Sequence, residues 1–217
     1  MTISSISGHW VHRHLLVLRF ALFNIVATGL LAAVYLQGWL DGAMLGYTAW
    51  LTFGIGAVFV FGLLLCGLRI WHTNRELNAV GQADPPGMSR VGHYLSKVAG
   101  RPADSRSISA NLLRNRLGNR ITIVRQTADS LVFLGLVGTV IGFIVALSGV
   151  DPQASAQLDE VAAMVATLVA GMSIALYTTL VGAVLHVWLM VNHRLLATGT
   201  SNLFDAIVEL GEQRVGV

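Results

Sequence analysis

Four runs of apolar residues, Leu15–Leu36, Ala43–Leu68, Leu131–Val150 and Val161–Val191, hold a single charge between them, Arg19. A helix needs about 20 apolar residues to cross the hydrocarbon core of a bilayer, and every run reaches that length. Inside lipid the backbone must satisfy its own hydrogen bonds, so apolar runs of this length fold as helices. The pattern predicts an all-α, polytopic membrane protein with four transmembrane helices. Only 12% of the 217 residues are charged, against about 25% in soluble domains, which disfavours a soluble globular enzyme. The first run is read as a retained span rather than a signal peptide. It is too long, Arg19 interrupts it and no small-x-small cleavage site follows. Arg19 lies where its stem can snorkel to the headgroups.

The connections orient the spans. Gln37–Gly42 and Asp151–Glu160 contain no Lys or Arg and carry Asp41, Asp151, Asp159 and Glu160. The segment Arg69–Ala128 holds ten of the fourteen basic residues, and Arg13, Arg194 and Arg214 lie toward the two ends. The positive-inside rule then places both termini and the central loop in the cytoplasm. Trp10, Trp39, Trp71 and Trp188 fall near span ends, as an interfacial aromatic belt requires. Topology thus explains the net charge of +3. A nucleic-acid reading would want basic residues interleaved with aromatics, and the loop has only Trp71 and Tyr94.

Within the loop, Asn74–Ser107 is rich in Gly, Pro and Ser, with breaks at Asp84-Pro85-Pro86-Gly87 and Arg101-Pro102. From Ser109 the positions Leu113, Leu117, Ile121 and Val124 recur at helical spacing. Arg114, Arg116, Arg120 and Arg125 surround the remainder of that helix. Only Gly118 interrupts it, so one long helix is expected from about Ser109 to Gly149, extending the third span into the cytoplasm. In the tail, Leu203, Phe204, Ile207 and Val208 form an apolar face opposite Asp205, Glu209 and Glu212. That tail either lies on its own bundle or clamps a neighbouring subunit through these acidic and basic faces.

Two spans carry stripes of small residues. In the third, Gly135, Gly138, Gly142, Ala146 and Gly149 recur every three or four residues. In the fourth, Ala163, Thr167, Gly171, Ala175, Thr178, Gly182 and His186 do the same. Lipid supplies little hydrophobic drive between helices, so association depends on the close backbone approach that such stripes permit. Tight packing is the ordinary role of Gly135, Gly138, Gly142, Gly171 and Gly182. Thr178 lies on the fourth-span stripe, Thr139 and Thr179 border the stripes at similar depth, and two such small, weakly polar faces either pack closely or line a narrow path.

No Asp, Glu or Lys lies within a span. A bare charge at the bilayer centre costs at least about 2.5–3.5 kcal/mol, so hydroxyls and carbonyls alone conduct ions poorly. If ions pass, the titrating group belongs to another protein. His186 is the chain's own candidate, and its position near a span end favours an interfacial histidine facing water. His9, His12 and His14 lack the carboxylate or thiol company of a metal site, so no metal and no cofactor is expected. Cys66 reads as a small lipid- or helix-facing residue, and as the lone cysteine it excludes an intrachain disulfide.

The segment Leu134-Gly-Leu-Val-Gly-Thr-Val-Ile-Gly142 resembles the LGLLGTVIG motif of the MotA/TolQ/ExbB proton-channel family. Gly171-Met-Ser-Ile-Ala-Leu-Tyr-Thr-Thr-Leu-Val-Gly182 resembles that family's G-(I/M)-x-x-A-L-x-T-T-x-x-G segment. The acidic connection between these spans and Asn192 after the last one also fit. The resemblance implies a homopentamer around two copies of a single-span partner with an intramembrane Asp and a periplasmic domain. It implies that Thr139, Thr178 and Thr179 line the ion path beside that Asp. Four spans are similar to the flagellar stator branch, whereas TolQ and ExbB have three. The central loop is short for a flagellar stator, and the proline that relatives carry near the inner end of the last span has no counterpart in Gly182–Asn192.

The expected organisation is a two-helix transmembrane hairpin (1–68), a cytoplasmic loop and helical extension (69–127), channel helices (128–192) and an amphipathic tail (193–217). The expected function is that of a non-enzymatic subunit of a proton- or sodium-driven motor, coupling ion-motive force to mechanical work through its partner. The alternative is a non-conducting scaffold whose Gly stripes serve assembly and whose Arg-rich helix recruits a cytoplasmic protein. A small transporter would show inverted repeats and interrupted spans, and neither is visible.

Overall fold

A computed structural model describes residues 7–36, 49–80, 103–150 and 158–215. They form four helices: α1 (Ser7–Leu36), α2 (Ala49–Val80), α3 (Ala103–Ser148) and α4 (Leu158–Val215). All four prolines, Pro85, Pro86, Pro102 and Pro152, fall outside them. Proline removes a backbone donor and clashes with the preceding turn, so it is disfavoured in helix interiors. Pro102 directly precedes α3. Gly118 leaves α3 uninterrupted, and the space beside its Cα is open. At the far end Val150 N donates to Leu147 O at 3.1 Å, closing the last turn.

The expected helix from Ser109 to Gly149 is present and starts six residues earlier. The fourth span and the tail form one unbroken helix of 58 residues. At 1.5 Å per residue, α3 and α4 are about 69 and about 87 Å long, more than twice a hydrocarbon core of about 30 Å. Three helices hold stretches long and apolar enough to cross a membrane: Trp50–Arg75, Asn111–Ser148 and Glu160–Glu209. In α1 the corresponding stretch among the described residues is Val17–Ala33, which is shorter. The architecture is that of a polytopic membrane protein.

Two compact units are present, each drawing on several separate stretches of chain. One comprises Met1–Val26, Leu63–Arg125 and Val191–Val217. Its core is formed by Cys66 and Ile70 of α2, Leu117 and Val124 of α3, and Leu196, Leu203 and Ile207 of α4. The other comprises Ala27–Gly62 and Gln126–Met190. There Leu51, Ile55 and Phe59 of α2 are buried, with Ala128, Leu131 and Ala146 of α3 and Leu185, Trp188 and Leu189 of α4.

Buried positions repeat at three and four residues along each long helix. On α2 they are Leu51, Ile55, Phe59, Gly62, Cys66, Ile70 and Thr73. That is the knobs-into-holes spacing of helices packed at shallow angles. A Cβ on Gly62 would lie 2.5 Å from Leu189 Cδ2 and 3.0 Å from Thr127 Cγ2, so glycine is what lets α2 approach α3 and α4 there. Trp188 differs from its expected place in an interfacial belt. It is buried and meets Phe59 edge-on, with centroids 5.0 Å apart, because the same face of α4 carries the core leucines.

Candidate functional site

The antiparallel contact between α3 and α4 is built from the two small-residue stripes. A Cβ on Gly142 would lie 2.6 Å from Ala175 N and 2.7 Å from Gly171 O. One on Gly182 would lie 2.7 Å from Leu131 O and 3.1 Å from Gly135 Cα. A Cβ on Gly171 would collide with the backbone of Ala146, and one on Gly149 would stand 2.5 Å from Thr167 Cγ2. At Gly142, Gly171 and Gly182 the contacts are with backbone, closer than helices with larger side chains at the seam can attain. All five glycines read from the sequence as packing residues are in the seam, and all five are buried.

The three threonines occupy different settings. Thr178 is 3% exposed and lies directly over Gly138. Its hydroxyl donates to its own helix, with Ile174 O at 3.0 Å and Ala175 O at 3.1 Å. Thr179 is exposed, and its hydroxyl crosses the seam to Gly135 O at 3.3 Å. Thr139 is half-buried and donates to Leu136 O at 2.6 Å. Such back-bonding is the usual way a helical threonine satisfies itself in apolar surroundings. Gly138 and Thr139 are neighbours on α3, so the seam holds all three threonines within one stretch of the α3–α4 pair.

His186 differs from the water-facing histidine expected from its position. It is half-buried, and its Nδ1 lies 2.8 Å from Ala128 O on α3. A carbonyl only accepts, so that contact requires the proton on Nδ1. The ring thereby ties α4 to α3 beyond the last seam glycine.

One polar pair escaped sequence reasoning. Asn24 Nδ2 donates to Asn192 Oδ1 at 2.8 Å and to Phe20 O at 2.8 Å, while Asn192 Nδ2 returns a bond to Asn24 Oδ1 at 3.3 Å. Asn192 is fully buried, and its backbone carbonyl also accepts from Cys66 Sγ at 3.5 Å. Three helices therefore meet at Asn192. The available signal was a single amide in each of two otherwise apolar stretches, a combination that in lipid usually marks interhelical hydrogen bonding.

The charged residues of the expected cytoplasmic contact are distributed as follows. Arg114 and Arg125 on α3 and Asp205 and Glu209 on α4 are exposed. The side chains of Arg116, Arg120 and Glu212 lie outside the described ones, as do those of His9, His12 and His14. Among the described residues no group of three His, Cys, Asp or Glu side chains could hold a metal. The connections 37–48, 81–102 and 151–157, with most of their expected acidic and turn residues, also lie outside the described residues.

The profile of the MotA/TolQ/ExbB proton channel family matches residues 99–208, which spans α3, the connection and most of α4. The chain belongs to this family. As a family member it is a proton-channel-type, multi-pass membrane subunit of an ion-driven complex, and the matched region contains the whole α3–α4 seam. No curated protein and no solved structure matches the chain.

Proposed function

We propose that the chain is a non-enzymatic subunit of an ion-driven motor in a bacterial inner membrane. In this reading it forms a homopentamer around two copies of a single-span partner. The partner supplies an intramembrane Asp and a periplasmic domain, and ion passage through the complex performs mechanical work. The observation that carries the reading is the α3–α4 seam. It is a hairpin locked at backbone distance, bordered by hydroxyls and containing no carboxylate. Burying an unpaired charge in lipid is costly, so a channel wall of this composition calls for a titrating group from elsewhere. Thr179 and Thr139 are the hydroxyls of the trio with access beyond the seam, and they are assigned to the ion path. Thr178 supports them from within. Both termini and the Arg69–Ala128 segment are assigned to the cytoplasm from the distribution of basic residues.

The test is co-purification with the product of a neighbouring gene that encodes a single span bearing an Asp, followed by native mass spectrometry and ion-flux assays in vesicles. Pentamers and a flux that falls when Thr179 and Thr139 become valine support the motor. Any other stoichiometry, or unchanged flux, rejects it in favour of a non-conducting scaffold in which the seam serves assembly alone.

A further inference from the structure

A cleft outside the α3–α4 seam opens between α2, α3 and α4, lined by Arg69, His72, Thr73, Leu117, Ile121, Leu196 and Thr200. Its floor is apolar, since Leu117 and Leu196 are buried, and Thr200 spends its hydroxyl on Leu196 O at 2.9 Å. Its rim is cationic: Arg69 contributes the charge, and no carboxylate is among the described lining residues. The cleft's volume of about 20 Å³ accepts one water-sized group and no more. It therefore suits a single oxygen of a larger head rather than a whole hydrated ion.

The surroundings identify what carries that oxygen. Along the outer face of α2, Leu64, Leu68, Trp71 and Arg75 form a stripe at spacings of four, three and four, and all four are exposed. The stripe passes from aliphatic to indole to guanidinium within about three turns, the order of acyl chain, interface and headgroup in a bilayer. Arg75 is held over the Trp71 ring at 4.3 Å, which keeps a second cation at the same level. His72 lies about 40° from Leu68 and about 60° from Arg69 around the helix, so the apolar stripe and the cleft rim adjoin. An acyl chain following Leu64 and Leu68 ends beside Arg69.

We propose that this cleft binds the phosphate of an anionic phospholipid, with Arg69 as the principal ligand, Arg75 and Trp71 flanking the headgroup, and Leu64 and Leu68 holding an acyl chain. Arginine offers a planar fork of donors that matches two phosphate oxygens. The proposal stands independently of ion conduction, because it uses no residue of the seam.

The experiment is native mass spectrometry of the full chain, delipidated in detergent and titrated with phosphatidylglycerol or phosphatidylcholine. Phosphatidylglycerol should bind at least about fivefold more tightly, and Arg69→Gln should remove that preference. A basic side chain near an anionic membrane contributes about 1 kcal/mol, equivalent to that factor. Arg69→Lys should retain part of it, and Arg194→Gln, an exposed arginine on α4, should retain all of it. Inorganic phosphate at millimolar concentration should not displace the lipid. Equal binding of the two lipids, an unaffected Arg69→Gln variant, or displacement by phosphate each overturns the proposal. A photoactivatable phosphatidylglycerol on the unmutated chain gives a readout that needs no variant. Labelling within residues 64–75 supports the site, and labelling confined to other segments overturns it.

Discussion

The side chain of Thr178 occupies the space that a Cβ on Gly138 would need. Both residues are buried, so the α3–α4 distance at this level is set by one missing methyl and one hydroxyl side chain. Thr178→Val keeps the shape and loses only a hydroxyl bonded within its own helix. It should change thermal stability by less than about 1 kcal/mol. Thr178→Leu adds volume where none is available and should cost about 1–3 kcal/mol. Detergent-solubilised protein followed by thermal denaturation distinguishes the two. Equal losses would show that the hydroxyl, rather than the fit, matters.

Glycine substitutions should divide by location. Gly142→Ala places a methyl 2.6 Å from Ala175 N, and backbone cannot step aside cheaply. A loss of about 1–3 kcal/mol is expected, from overpacking. Gly118→Ala puts the same methyl into open space on an exposed turn of α3 and should stabilise by up to about 1 kcal/mol. Melting temperatures of the two variants should move in opposite directions.

For the Asn24–Asn192 pair, removing either amide strands the other. Asn24→Leu and Asn192→Leu should each destabilise by about 1–2 kcal/mol, and the double variant should lose less than their sum. Interhelical hydrogen bonds in membrane proteins are worth about 0.6 kcal/mol on average, so a coupling of that order is expected in a double-mutant cycle. Strict additivity would mean the bonds contribute nothing.

Cys66 is completely buried, and its thiol faces the Asn192 carbonyl. It should resist a membrane-permeant maleimide in the folded protein and react fully after denaturation in detergent. This protection lets cysteines introduced into Gln37–Gly42 and near Arg194 report sidedness without removing the native thiol. Impermeant reagent applied from outside should label the first and spare the second. The reverse pattern would invert the orientation read from the basic residues.

His186→Leu removes the contact with Ala128 O and should cost about 1 kcal/mol, whereas His186→Asn, which retains a donor, should recover part of it. Equal losses in the two variants would mark the ring's packing, not its hydrogen bond, as the stabilising feature.

Much of this was legible in the residues alone. Stripes with a period of 3.6 residues identified which faces of α3 and α4 are small, and five seam glycines follow directly from that period. With no proline and only Gly118 as a weak breaker, α3 was legible as one helix. Other features were not legible, because a stripe says that a face will be covered without saying by what. The Leu113–Val124 stripe and the glycine stripe were separate patterns in the sequence. In the fold, Ala128 and Leu131 join them into one run of buried positions. Thr178 and Thr179 are adjacent in sequence and equal in chemistry, and the 100° between them puts one inside the seam and the other at its exposed edge.

By itself the sequence determined the kind of molecule: helices for lipid, charges sorted to the connections, and small residues where two helices must approach. Apolar length, charge and residue size act locally or along one helix, so they can be read without coordinates. Tertiary structure decided which side chains share an environment. It joined Asn24 to Asn192 across 168 positions, turned His186 toward Ala128, and set Trp188 against Phe59. Each of those outcomes depends on the rotation of one helix relative to another, and contacts distributed along the whole pair fix that rotation.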